Sequence, residues 1–135
     1  NKYYMQCAEF ILMLSKRPAK NINDMGSKTI ISIPNIIGNK KHPTEKPVKL
    51  MEHFILNSTQ ENDIVLDPFA GAGSTLLAAQ KLNRKFIGCE IDPIYYQTCV
   101  NRLSGEYDKG SLIWNVKKIF RGVFCRTTIF KNLPH

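Results

Sequence analysis

The chain has 135 residues, 43% of them hydrophobic, and 19 basic against 11 acidic side chains give it a formal net charge of +8. That length is one domain's worth of chain and can bury about two thirds of its extended surface. The sequence holds no run of apolar residues long enough for a membrane-spanning helix, so no membrane partner is expected. Its four cysteines, Cys7, Cys89, Cys99 and Cys125, form no CxxC pair and have no histidine at zinc spacing. Reduced thiols in a cytoplasmic protein are expected, and no metal site.

In chain order, Asn1-Lys2-Tyr3-Tyr4 carries neither an initiator methionine nor a signal segment, which suggests that the chain begins inside a longer gene product. Residues 8–15, Ala-Glu-Phe-Ile-Leu-Met-Leu-Ser, form a continuous apolar run that predicts a buried strand, stopped by Lys16-Arg17-Pro18. Residues 18–43 are rich in Asn, Gly, Lys, Ser and Pro around one β-branched island, Thr29 to Ile33, and read as a basic binding loop or a mobile segment. From Lys16 to Lys49, eight basic residues (Lys16, Arg17, Lys20, Lys28, Lys40, Lys41, Lys46, Lys49) stand against Asp24 and Glu45. Such a balance fits contact with a polyanion, or a solvated basic surface that binds nothing.

Pro47 opens a helical pattern with Val48, Met51 and Ile55 on one stripe. Asn62-Asp63 turns into a strand from Ile64 to Asp67, a helix runs from Gly73 to about Leu82, and a second strand spans Lys85 to Glu90. Strand, helix and strand at this spacing imply parallel pairing with a right-handed crossover. Asp92-Pro93 starts a further helix, Asp as N-cap and Pro in the first turn, which continues to Leu103. Beyond it, Gly105 and Gly110 break the pattern, and Leu112-Ile113-Trp114 and Ile119-Phe120 are interleaved with basic residues. That tail is expected to be loosely packed or partner-dependent.

The turn Asp67-Pro68-Phe69-Ala70-Gly71-Ala72-Gly73-Ser74-Thr75 carries the chemistry. Glycines let a backbone approach a ligand closely, and a helix start offers amides and positive dipole character. Nineteen residues after Gly71, Glu90 closes the next strand, where an acid can accept hydrogen bonds from two ribose hydroxyls. No lysine follows Gly73, against a phosphate-binding P-loop. The third glycine of a dinucleotide GxGxxG is replaced by Leu76. S-adenosylmethionine, a nucleoside without phosphates, fits what is left.

A second segment, His42-Pro43-Thr44-Glu45-Lys46-Pro47, lies about twenty residues before that turn. The pair closely resembles the β-class amino-methyltransferases that modify DNA, with the first segment as motif X, the glycine turn as motif I and Phe86 to Glu90 as the motif II strand. The resemblance covers residues 5–103 and is nearest to phage and prophage adenine methylases. It implies an α/β, partial Rossmann-like fold with a mostly parallel sheet. S-adenosylmethionine would be the methyl donor and double-stranded DNA the substrate. Thr44 and Lys46 would hold the methionine carboxylate or its flanking loop, and Asp67, Phe69, Gly71, Gly73 and Ser74 would shape the methionine and ribose side. Glu90 would take the ribose hydroxyls, and Ile91 would lie near the adenine ring. Structural roles compete with these: Lys46 as a solvated lysine, Phe69 as core, His42 as a loop-ordering residue, His53 on the exposed side of its helix.

The catalytic (D/S/N)PP(Y/F/W) segment that this family places before motif X does not occur in the sequence. In the family it holds the exocyclic amine and stacks on a flipped base. Ile33-Pro34-Asn35-Ile36 and Asp92-Pro93-Ile94-Tyr95 do not replace it. A Pro-Cys nucleophile of the cytosine-C5 type does not occur either. The resulting reading is a cofactor-binding portion over 1–103, including the basic loop 18–43, followed by an atypical tail over 104–135. It would be the C-terminal part of an adenine-N6 methyltransferase (cytosine-N4 as the other target), inactive without an upstream catalytic portion and prone to self-association through uncovered strand faces. The competing reading is a decayed prophage remnant, or a basic DNA-binding module without catalysis.

Overall fold

Pro47, with φ near −58°, leads into helix α1 (Val48–Ser58), whose Ile55 is buried while Val48 and Met51 pack against the core beside it. The computed structural model describes residues 8–16, 18, 20–38, 40–41, 43–105 and the backbone of 128–131. Strand β1 (Ile64–Asp67), helix α2 (Ser74–Lys81), strand β2 (Lys85–Cys89) and helix α3 (Pro93–Leu103) follow in order. The turns at both amino ends of the strands use asparagine in the left-handed region, Asn62 at φ 66° and Asn83 at φ 57°. Asparagine tolerates that region better than other side chains. The Asn62 amide donates to the Asn83 carbonyl at 3.0 Å, which ties the two turns together.

β1 and β2 are parallel, with Ile64 opposite Lys85 and Asp67 opposite Gly88. The α/β architecture expected from the sequence is therefore present, with α2 as the crossover. The core gathers Ile55 from α1, Ala70 from the turn, Leu76, Ala78 and Ala79 from α2, Phe86 from β2 and Cys99 from α3. At α3 the Asp92 carboxylate accepts from the amides of Ile94 and Tyr95 at 2.8 and 3.2 Å, the N-cap read from the sequence.

Several expectations change. Residues 8–15 are not a buried strand: no described strand pairs with them, and Phe10, Leu12 and Leu14 are more than four-fifths exposed. An apolar run marks a segment that would gain by burial, but burial needs a covering element, and none of the described elements lies over this one. His53 is half-buried rather than exposed, its ring edge-on to Phe54 with centroids 5.6 Å apart. In the tail, Thr128–Lys131 form a third strand, β3, antiparallel to β2, so the sheet has the order β1-β2-β3 and one antiparallel pairing. Gly105, at φ 80°, follows the end of α3 as expected, and the remaining tail features, together with Cys7, Cys125 and His42, lie outside the described residues.

Within 18–43 the described residues hold neither helix nor strand, yet part of the loop is fastened. The Asn23 side chain donates to the Leu56 and Thr59 carbonyls, and the Asp24 amide donates to the Asn57 side chain. The two Asn23 bonds satisfy carbonyls that the end of α1 leaves open.

Candidate cofactor-binding site

The parallel strands end at Asp67 and Cys89, and the chain beyond each folds over the carboxyl edge of the sheet, where ligands of open α/β folds sit. Four hydrogen bonds shape the glycine turn there. The Phe69 amide donates to Asp67 Oδ1 at 3.0 Å, the Ala70 amide to the Cys89 carbonyl at 2.8 Å, the Gly71 amide to Glu90 Oε2 at 2.7 Å, and the Gly73 amide to the Ala70 carbonyl at 2.8 Å. Gly73, at φ 80°, is the N-cap of α2 and supplies no side-chain cap. A left-handed backbone favours glycine at that position.

Glu90 thus does more than the sequence indicates. One of its oxygens accepts from Gly71 and the other from the Asp92 amide at 2.9 Å, so the carboxylate couples the turn to the start of α3. Each carboxylate oxygen has two lone pairs, which leaves acceptor capacity for hydroxyls.

A cleft of about 250 Å³ opens at this edge, and seven of the nine residues singled out from the sequence line it: Thr44, Lys46, Asp67, Phe69, Gly71, Ser74 and Glu90. Glu45, Met51, Ala70, Ala72 and Thr75 complete the lining. Gly73 is buried beneath the turn, and Ile91, 88% exposed, stands outside the lining. Phe69 lines the cleft but is equally exposed, so it is not a core residue. Lys46 forms an ion pair with Glu9 across the rim, both side chains substantially solvated.

The residues missed by sequence reasoning are Glu45 and Arg102. Their side chains form a buried ion pair at 2.6 Å, 4% and 13% exposed. The clue in the sequence is slight: Glu45 is one of two acids in a strongly basic stretch, and a lone acid amid cations is a candidate for pairing. Cys99, fully buried under the turn, has its thiol pushed up to about 12, first by burial, with Asp67 and Glu90 adding to the rise and Arg102 opposing it. Cys99 is a free thiol. Among the described residues no cluster of metal-binding side chains occurs, and no helix is long and apolar enough to cross a membrane.

A parallel strand–helix–strand unit with a glycine turn, and an acid closing the second strand beside a cleft, is a Rossmann-like nucleoside site, and the solved structures it resembles are methyltransferases. The sequence profile of the N6/N4-type DNA methylases matches residues 15–101, and the chain belongs to that family. The type II methyltransferase M.BglII of Bacillus subtilis is 44% identical over 78 residues, 58% of this chain and 22% of that protein. M.HindIII of Haemophilus influenzae is 49% identical over 77 residues, 57% of this chain and 24% of that protein. Among solved structures, the M1.HpyAVI–SAM complex aligns with a TM-score of 0.53 at 44% identity, covering 65% of this chain and 45% of that one. The cytosine-N4-specific PvuII DNA methyltransferase aligns with a TM-score of 0.52 at 32% identity, covering 56% and 31%. The chain spans less than a quarter of the length of these two curated relatives.

Proposed function

We propose that the chain is the methyl-donor-binding part of a site-specific DNA methyltransferase that moves a methyl group from S-adenosylmethionine to the exocyclic N6 amine of adenine in double-stranded DNA. The observation that carries this reading is one cleft lined by both Lys46 and Glu90 at the carboxyl edge of parallel strands. A nucleoside joined to an amino acid needs an acceptor for its ribose diol and a cation for its carboxylate. Glu90 and Lys46 are that acceptor and that cation, and charge-assisted hydrogen bonds of this kind contribute about 1.5–3 kcal/mol each.

In this reading Glu90 accepts the ribose hydroxyls while continuing to hold the turn. Thr44 and Lys46 hold the methionine carboxylate, Asp67, Phe69, Gly71 and Ser74 bound the methionine and ribose side, Gly73 shapes the turn from beneath, and Ile91, exposed beyond the lining, would border the adenine. Lys46 would leave Glu9 for the ligand. That exchange costs little, because a pair whose members are 41% and 59% exposed is worth only about 0–1 kcal/mol. The bound donor supplies an electrophilic methyl group, and this chain's residues hold and orient it.

Methyl transfer needs a further portion carrying the amine-holding segment that this sequence lacks, so the chain alone is expected to bind the donor without turning over. Exposed Phe10 to Leu14 and β1 residues Ile64 and Leu66 give that portion, or a second copy of this chain, apolar surface to cover. A cytoplasmic location accords with DNA as substrate. The likeness to a cytosine-N4-specific enzyme keeps N4 of cytosine as the second target.

Isothermal titration of the chain with S-adenosylmethionine tests the reading. Binding is expected, and Glu90→Ala should weaken it about thirtyfold, on the order of 2 kcal/mol. Salt-dependent DNA binding with no donor binding would instead favour a basic DNA-binding module.

A further inference from the structure

We infer that Arg102 is a positioning residue of the cleft: acting through Glu45, it holds the Pro43–Pro47 segment against the glycine turn. Arg102 lies in the last turn of α3 and is not among the residues lining the cleft. Its Nη1 donates to Glu45 Oε1 at 2.6 Å, and it also approaches the Ala72 carbonyl at 3.2 Å and Ser74 Oγ at 3.4 Å. One nitrogen therefore joins three pieces of chain: the segment carrying Thr44 and Lys46, the turn, and the first residue of α2. The other Glu45 oxygen accepts the Lys41 amide at 2.7 Å, which fastens the approach to the segment as well.

Thr44 and Lys46 flank Glu45 in sequence, so fixing the Glu45 carboxylate fixes where both neighbouring side chains leave the backbone. Thr44 itself is exposed, and among the described residues the ion pair of Lys46 is with Glu9 at the solvated rim. The buried Glu45–Arg102 pair is thus the firmer link between the two walls. A guanidinium suits this task because it keeps its charge when buried and presents several donors in a rigid plane.

The bland alternative is that the pair merely attaches α3 to the domain. The two differ when both charges are removed. Losing one partner strands a buried charge, whereas replacing both relieves that penalty. Arg102→Met should lower the melting temperature and weaken S-adenosylmethionine binding at least tenfold. Glu45→Gln combined with Arg102→Met should recover most of the melting temperature but not the affinity. Recovery of both together, or wild-type affinity in a folded Arg102→Met protein, overturns the inference.

The affinity readout rests on the cleft being the donor site, so a second measurement is made on the free protein. Hydrogen exchange at the Lys41 amide, which donates to Glu45, should quicken at least tenfold in the double variant, while amides inside α2 keep their protection. Unchanged exchange at Lys41 overturns the positioning role whether or not the donor binds. A wild-type chain that fails to bind the donor counts against the proposed function alone.

Discussion

Cys99 shows how much of the turn is decided from beneath. Gly73 rests on it so closely that a Cβ on Gly73 would stand 2.4 Å from the sulfur, in a backbone conformation with φ at 80°. Gly73 therefore belongs to the packing under the turn as well as to its curvature. A glycine pair after a strand signals close approach and so points Gly73 to the ligand side, but the pattern does not say from which side the approach comes. The buried thiol also has a measurable consequence. Its pKa is raised from the ordinary thiol range to about 12. The unfolded chain would then lose this proton at lower pH than the folded one. The stability linked to Cys99 is fully present below about pH 8.5, the ordinary thiol value, and declines as pH rises toward 12, by up to about 1.4 kcal/mol per pH unit. Urea unfolding between pH 8 and 10.5 should show a steeper loss of stability in the wild type than in Cys99→Ala. Equal slopes would contradict the burial argument.

Between elements, the informative contact is that of α2 with β2. In a dinucleotide turn the third glycine lies on the helix and lets it approach the strand. Leu76 occupies that position here and is fully buried. Its space comes from the strand, because a Cβ on Gly88 would lie 2.3 Å from Leu76 Cδ1. The small residue has moved across the interface, and helix and strand still pack closely. Gly88→Ala should destabilise by about 1–3 kcal/mol through overpacking, and Leu76→Ala by about 2–5 kcal/mol through the cavity. Together they should cost clearly less than the sum, since each relieves the other. Thermal unfolding of the three variants checks this, and simple additivity would contradict it. The helices and β1–β2 strands were legible because each carries a local signal: Pro47, the Asp92 cap, and apolar runs closed by Asp67 and Glu90. Residues 8–15 misled because an apolar run reports a tendency to be covered and says nothing about what covers it. β3 was illegible for the opposite reason, since pairing with β2 is a long-range event that Thr128–Lys131 do not announce.

On the scale of the molecule, a small mixed sheet carries a cleft on its carboxyl edge, a basic loop tethered to α1, and uncovered apolar residues. Belonging to the N6/N4-type DNA methylases and spanning less than a quarter of the curated relatives compared, the chain carries the motif X, motif I and motif II parts of the site. Motif composition was legible because motifs are local. The Glu45–Arg102 link was not, because its members lie 57 positions apart and neither belongs to a glycine signal. The central claim is that the Pro43–Pro47 segment and the glycine turn serve one nucleoside ligand. Amide NMR of the ¹⁵N-labelled chain titrated with S-adenosylmethionine tests it most directly. The resonances of Thr44, Lys46, Gly71, Ser74 and Glu90 should shift together along one binding curve. An unchanged spectrum, or shifts confined to residues away from the cleft, would contradict the claim.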